Sequence, residues 1–118
     1  MHELSIAGAI VDIATRHAGE RRVALVEVKV GQLRQVVPGA LEFAFALVAE
    51  GTAAEGAELR IDEIPVQVSC QRCAAESAAP EFPLMCGRCG SADVEVFAGG
   101  ELYVEALELE EAAGLARR

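Results

Sequence analysis

Residues 70–89, CQRCAAESAAPEFPLMCGRC, contain all four cysteines of the 118-residue chain. The cysteines form two C-x-x-C pairs, Cys70/Cys73 and Cys86/Cys89, with twelve residues between the pairs. Two intervening residues let a tight turn direct both thiolates at one ion, and two such pairs complete a tetrahedron with Zn–S bonds of about 2.3 Å. The pattern therefore predicts a four-thiolate zinc site that is closed to further ligands and structural in role.

Other chemistry is compatible with four cysteines. Two disulfides would also use them, but the chain shows no signal peptide or membrane span, and we expect a cytoplasmic location, where thiols stay reduced. A thioredoxin-like redox function needs one C-x-x-C at the start of a helix, not two matched pairs. An iron site would use the same cysteine spacing, so iron in place of zinc remains an alternative.

The segment around the cysteines differs in composition from the rest of the chain. Residues 69–99 hold two of the four prolines and few aliphatic residues. A stretch of about thirty such residues cannot form a core of its own, and chains below about 40 residues usually need a cross-link or a metal. We therefore predict a small, metal-stabilised, zinc-ribbon-like lobe at 69–99, inserted into a main domain formed by residues 1–68 and 100–118.

The main domain has the periodicity of an α+β fold. Residues 4–18 carry apolar side chains at helical spacing, and 38–50 repeat that pattern after a first-turn proline. Residues 23–31 alternate, as do 58–69 and 101–110, which predicts three strands, with Pro65 at a bulge or edge. The expected buried stripes are Ile6, Ile10, Ile13, His17, Ala7, Val11, Ala14 and Ala18 in the first helix, and Leu41, Ala44, Phe45 and Val48 in the second.

Composition and charge exclude several classes of function. The net charge is −9, from 19 acidic and 10 basic residues, which disfavours binding to nucleic acid or to anionic membranes. A zinc-ribbon module for nucleic acid is the alternative function, but residues 69–99 offer only Arg72 and Arg88 as bases. Two histidines and no recognisable catalytic constellation predict that the chain is not an enzyme.

The chain opens with Met1-His2-Glu3, which brings an amine, an amide nitrogen, an imidazole and a carboxylate close together. Nitrogen and oxygen donors in a planar arrangement suit Ni(II) or Cu(II). Judged from the residues alone, an ordinary polar start is favoured, with Glu3 near the positive end of the first helix. We assign His17, in the last helical turn, a structural role.

Taken together, the opening MHELSIAGAI, the paired cysteines and the closing GGELYVEALELE resemble the HypA/HybF family of hydrogenase nickel-incorporation proteins over nearly the whole chain. The resemblance implies an α+β domain with two helices on a three-stranded sheet. It also implies a nickel metallochaperone that holds Ni(II) through His2, with help from Glu3, and zinc through Cys70, Cys73, Cys86 and Cys89. The implied partners are a HypB-type GTPase and the [NiFe]-hydrogenase large subunit, and in some organisms urease.

One turn departs from the family pattern. Many relatives have Gly-Glu-Leu-Ser after the first strand, whereas this chain has Gly31-Gln32-Leu33-Arg34. We therefore transfer no role from the acidic residue or the serine of that turn.

Overall fold

The computed structural model describes residues 2–111. Two α-helices, α1 (Glu3–Ala18) and α2 (Pro38–Ala49), occur with six strands. The strands are β1 (Val23–Gly31), β2 (Glu58–Ile64), β3 (Gln67–Cys70), β4 (Glu76–Ala78), β5 (Val94–Ala98) and β6 (Leu102–Leu109). A short 3-10 helix follows β1 at Gln32–Arg34. The predicted α+β class is confirmed, and the helix bounds agree with the periodicity to within about two residues.

The strands form two separate sheets. One has the order β2–β1–β6 and corresponds to the predicted three-stranded sheet. The other has the order β4–β3–β5 and was not predicted. In this second sheet β3 pairs antiparallel with both neighbours, with Val68 opposite Ser77 on one side and Val96 on the other.

The single strand predicted over residues 58–69 is wrong. Strand β2 ends at Ile64 and β3 begins at Gln67, in the other sheet, with Pro65 and Val66 between them. Proline has no N–H to donate to a ladder and fixes its own φ, so a strand readily ends there. Pro65 therefore marks the change from one sheet to the other.

The chain divides into two compact units. Among the described residues, one contains 2–28, 36–62 and 103–111, and the other contains 29–35 and 63–102. The second unit thus includes the turn after β1 in addition to the cysteine segment. The assignment of nickel binding to 1–68 and 100–118 and of zinc binding to 69–99 stays a prediction.

The core of the first unit is aliphatic and comes from both helices and β1. Helices α1 and α2 pack against each other, and Leu41, Val23 and Val26 are among the most deeply buried side chains. Ile6, Ile13 and Val48 are only half-buried and His17 is exposed, so the predicted stripes are too wide. Ala49 is buried instead of Val48 in the last turn of α2.

The second unit has a small apolar cluster, formed by residues inside and outside the cysteine segment 69–99. Val66, Val68 and Ala79 are buried together, and Leu33, Leu84 and Val94 pack against them. Three of these six residues lie outside 69–99 and the other three are far apart in sequence within it, so the cysteine segment read by itself shows no core. Such a cluster is small, so we still expect the metal to supply most of the local stability.

Candidate metal centres

The four cysteines converge at one point in the second unit. Their sulfur atoms all lie within 4.8 Å of one another, and the cysteines are free thiols. The Sγ–Sγ distance is 3.6 Å between Cys70 and Cys89 and 3.7 Å between Cys73 and Cys86. Sulfurs at the corners of a tetrahedron with bonds of about 2.3 Å stand about 3.8 Å apart, and a disulfide would need about 2.05 Å. The distances fit one metal ion held by four thiolates, and they exclude disulfides between these cysteines.

The two C-x-x-C segments have the same backbone design. The N–H groups of Arg72 and Cys73 donate to Cys70 Sγ at 3.3 and 3.4 Å. The N–H groups of Arg88 and Cys89 donate to Cys86 Sγ at the same two distances. Backbone donors of this kind stabilise a thiolate that a metal ion alone would leave partly uncompensated.

Each turn closes on a residue in the left-handed region. Ala74 N–H donates to the Cys70 carbonyl at 3.1 Å with φ of 65°, and Gly90 N–H donates to the Cys86 carbonyl at 3.0 Å with φ of 78°. Glycine adopts this conformation without a steric cost, whereas alanine does not. The two knuckles, residues 70–74 and 86–90, are therefore equivalent in geometry but not in strain.

The backbone donors also shift the thiol pKa values in the metal-free chain. Hydrogen bonds from the Cys89 and Arg88 N–H groups lower the pKa of Cys86 to about 6. A hydrogen bond from the Cys73 N–H lowers the pKa of Cys70, against the opposing effect of burial. The Ser91 N–H acts to lower the pKa of Cys89, but hydrogen bonding with the Cys70 thiol, together with burial and the other thiols, raises it to about 11.

In the metal-free chain the Cys70 and Cys86 thiols therefore have pKa values below that of an ordinary cysteine, and the Cys89 thiol has one above it. A divalent cation at the centre would reverse this for Cys89, because a coordinated thiol is deprotonated outright. Four sulfur ligands in a tetrahedron suit zinc or iron and not Mg²⁺ or Ca²⁺.

The redox alternative finds little support in the geometry. Cys70 ends β3, and Cys86 follows a loop, so neither C-x-x-C pair begins a helix in the described part of the chain. Both pairs share one cluster, as a metal centre requires. Exposed Glu76, Glu81, Asp93 and Glu95 also outnumber the exposed Arg72 and Arg88 in this segment, which disfavours nucleic-acid binding.

The residues predicted to hold nickel lie at the other end of the chain, in the first unit. His2 is exposed and immediately precedes α1, and its carbonyl accepts hydrogen bonds from Ile6 N–H at 3.0 Å and Ser5 Oγ at 3.3 Å. The predicted amine of Met1 lies outside the described residues. The amide nitrogen and imidazole of His2 and the carboxylate of Glu3 therefore belong to the first turn of α1, a helix whose other face is buried.

The Glu3 carboxylate makes a contact with the start of α2 that the sequence does not predict. Its residue is only 8% exposed, and its Oε2 accepts a hydrogen bond from Val37 N–H at 3.0 Å. Val37 is the N-cap residue of α2, so the carboxylate lies beside the positive end of that helix. Sequence reasoning missed this contact because the two residues are 34 positions apart and no local pattern links them.

The family model described as "Hydrogenase/urease nickel incorporation, metallochaperone, hypA" matches residues 1–109. The chain belongs to the HypA family. It is 39% identical over 114 residues to the hydrogenase maturation factor HypA of Desulfitobacterium hafniense (strain DSM 10664 / DCB-2), covering 94% of this chain and 100% of that relative.

A second relative and two solved structures are also similar to this chain over most of its length. The chain is 42% identical over 110 residues to the hydrogenase maturation factor HypA of Geobacter sulfurreducens (strain ATCC 51573 / DSM 12127 / PCA), covering 93% of this chain and all of the relative. A solution structure of a HypA protein superposes with a TM-score of 0.68 at 22% identity, covering 95% of this chain and 98% of that one. The solution structure of the Ni metallochaperone HypA from Helicobacter pylori gives 0.63 at 22% identity, covering 92% and 97%.

The family match confirms the resemblance drawn from the sequence, and the solved structures confirm the fold. HypA-family membership makes nickel the cargo of the family, while the four-cysteine cluster has the donor set of a zinc site. No helix in the described range is long and apolar enough to cross a membrane.

Proposed function

We propose that this chain is a nickel metallochaperone that binds Ni(II) at its N-terminus and delivers it for maturation of [NiFe]-hydrogenase. The observation that carries the proposal is the match of the family model to residues 1–109, starting at the terminal residues that would hold nickel. In this role the protein carries and transfers an ion and catalyses no reaction. The predicted partners are a HypB-type GTPase and the hydrogenase large subunit, with urease as a second destination, and the predicted location is the cytoplasm.

The position of His2 supports the assignment of the cargo site. An exposed imidazole before the first helical turn can approach an ion without displacing core side chains. The first N–H groups of a helix have no intrahelical acceptor, so the amide of residue 2 can lose its proton to a metal without breaking a helical hydrogen bond. An amide nitrogen and an imidazole on adjoining chelate rings give the planar donor set that Ni(II) prefers.

The hydrogen bond from Val37 to Glu3 refines the role of that residue. Because the carboxylate is already engaged at α2, we assign the contribution of Glu3 to its backbone amide, with the side chain holding the terminal segment in place. The side chain is then a positioning group. Zinc, held by Cys70, Cys73, Cys86 and Cys89, stabilises the second unit and stays with the protein while nickel moves.

The nickel assignment is tested by calorimetric titration of zinc-loaded protein with Ni(II). We expect His2→Ala to weaken nickel binding at least about tenfold, because one nitrogen ligand is lost. His17→Ala is the matched control, since His17 is the other histidine, is exposed, and lies in the last turn of the same helix. Unchanged nickel affinity in a folded His2→Ala protein would refute the terminal site.

The same titration across pH tests how the ion is held. Nickel requires a neutral imidazole and a deprotonated amide, so protons compete with it and affinity should fall as the pH is lowered. A protein extended by one glycine at its N-terminus keeps every side chain but moves the terminal amine, and we expect it to bind nickel more weakly. Equal affinity for the extended chain would show that the terminal amine is not a ligand.

A further inference from the structure

The four cysteines are not equally accessible. Cys70 and Cys86 are buried, with 3% and 4% exposure, and each accepts two backbone hydrogen bonds. Cys73 is half-buried and Cys89 is exposed. The metal cluster therefore has an inner side, formed by the first cysteine of each knuckle, and an outer side, formed by the second.

A surface pocket of about 520 Å³ opens on this outer side. It is lined by Arg72, Cys73, Cys89, Gly90 and Ser91. Two of the four cysteines thus line the pocket. A small molecule in the pocket would reach Cys73 and Cys89 without passing through the apolar cluster of the second unit.

Arg72 gives the pocket a positive charge. Its side chain is exposed and forms no ion pair with any side chain among residues 2–111. Most other charge on the chain is negative, with 19 acidic residues against 10 basic ones. The guanidinium of Arg72, in a pocket that two cysteines also line, offers two donors in one plane to a carboxylate, the group that it matches best in shape.

We propose that this pocket is a binding site for small carboxylate-bearing metal ligands, and that zinc is loaded and removed through it. Arg72 binds a carboxylate of the incoming ligand. With zinc bound, Cys89 would be the cysteine that gives up its place to a second carboxylate oxygen or an amine nitrogen of that ligand, so one metal–ligand bond would replace another and no oxidant would be needed. Cys70 and Cys86, which are buried, would be the last to be exchanged.

The other knuckle supplies a matched control. Arg88 occupies the equivalent position in Cys86-Gly87-Arg88-Cys89, is also exposed, and does not line the pocket. Both arginines donate their backbone N–H to a sulfur, and substitution of the side chain leaves that bond in place. A difference between Arg72 and Arg88 variants therefore reports the pocket and not the overall charge of the unit.

The experiment measures the rate at which zinc-loaded full-length protein transfers zinc to a chelator in large excess. EDTA carries carboxylates and is anionic, whereas TPEN binds zinc through neutral nitrogens. We expect Arg72→Gln to slow transfer to EDTA about three- to fivefold, the effect of one nearby charge in a hydrated site, and the difference to shrink in high salt. Transfer to TPEN should be unchanged, Arg88→Gln should behave as wild type, and Arg72→Lys should retain most of the EDTA rate.

Three results would overturn the proposal. One is an EDTA rate for Arg72→Gln equal to that of the wild type. Another is equal slowing by Arg72→Gln and Arg88→Gln, which would indicate long-range electrostatics only. The third is equal slowing with EDTA and TPEN, which would indicate a change in the stability of the cluster. The inference rests on the proposed zinc site, and separate measurements test the zinc site and the pocket. Protein that retains no zinc before the chelator is added would refute the zinc assignment. The transfer rates test the pocket.

Discussion

At the scale of single residues, the two knuckles repeat one geometry with different amino acids. Ala74 and Gly90 both close a turn with positive φ and donate to the carbonyl of the first cysteine. A left-handed conformation costs a residue with a Cβ roughly 1–2 kcal/mol, and glycine avoids that cost. The first knuckle is therefore the more strained of the two.

This asymmetry predicts opposite effects of two substitutions. Ala74→Gly should stabilise the zinc-loaded protein by about 0.5–1 kcal/mol, because relief of strain exceeds the entropy gained by the unfolded chain. Gly90→Ala should destabilise it by about 1 kcal/mol, since its Cβ meets no other atom and only the backbone conformation is penalised. The free energy of unfolding in urea, at saturating zinc, measures both. Destabilisation by Ala74→Gly would contradict the assigned conformation.

The carboxylate of Glu3 provides a second prediction at this scale. Glu3→Ala removes the acceptor of the Val37 N–H at the start of α2, and we expect a loss of about 1 kcal/mol in the free energy of unfolding. Glu3→Gln keeps an oxygen acceptor and should lose less. Because nickel is assigned to the amide, Glu3→Gln should bind Ni(II) with nearly wild-type affinity. A tenfold lower nickel affinity in that variant would show that the Glu3 carboxylate is a nickel ligand.

At the scale of secondary-structure elements, the end of β1 is fixed by close backbone packing within the second unit. Gly31 N–H donates to Glu101 O at 2.7 Å, Leu33 N–H to Gly99 O at 2.9 Å, and Arg34 Nε to Gly100 O at 2.8 Å. A Cβ on Gly31 would lie 1.9 Å from Gly99 O. Gly31, the last residue of β1, therefore has to be glycine for steric reasons.

Substitution of Gly31 should consequently be severe. Gly31→Ala forces the two backbones apart and breaks these hydrogen bonds, and we expect a cost of about 3 kcal/mol. Gly8→Ala is the control: its Cβ would meet nothing within 4 Å, and alanine in the middle of α1 should stabilise by about 1 kcal/mol. The midpoint temperature of thermal unfolding, measured for both zinc-loaded variants, distinguishes the destabilised Gly31→Ala from the stabilised Gly8→Ala. A Gly31→Ala protein as stable as wild type would show that this packing is wrong.

At the scale of the whole molecule, the two units differ in what holds them together. The first has a continuous aliphatic core drawn from α1, α2 and β1, with Leu41 and Ala14 fully buried. The second has a three-residue buried cluster and the four thiols. A structural zinc ion contributes roughly 10–16 kcal/mol of apparent binding free energy, far more than so small a cluster can supply.

Removal of zinc should therefore affect the units unequally. After chelation we expect the helical circular dichroism to be retained, because both helices belong to the first unit, while amide hydrogen exchange accelerates across 63–102. Acid should act in the same direction, since protons compete with the ion for thiolates. In the metal-free chain the pKa of Cys86 is lowered to about 6 and that of Cys89 is raised to about 11, so Cys86 stays a thiolate to lower pH than Cys89. Loss of the helical signal together with zinc would show that the first unit cannot fold without the second.

The sequence by itself determined the elements that depend on local pattern. Periodicity located α1, α2, β1 and β6, and the spacing of the cysteines predicted their convergence, because one tight turn relates the two sulfurs of each pair. The family also followed from the sequence, through the opening residues and the paired cysteines, and was confirmed by comparison.

Only the tertiary structure decided features that join residues far apart in the chain. Pro65 sends the chain into a second sheet, Glu3 meets Val37, and Gly31 meets Gly99. It also decided which thiols are buried and that Arg72, not Arg88, lines the pocket beside the exposed ones. Local pattern reflects the conformational preference of a few neighbouring residues, whereas burial and long-range contact depend on which surfaces meet when the whole chain folds.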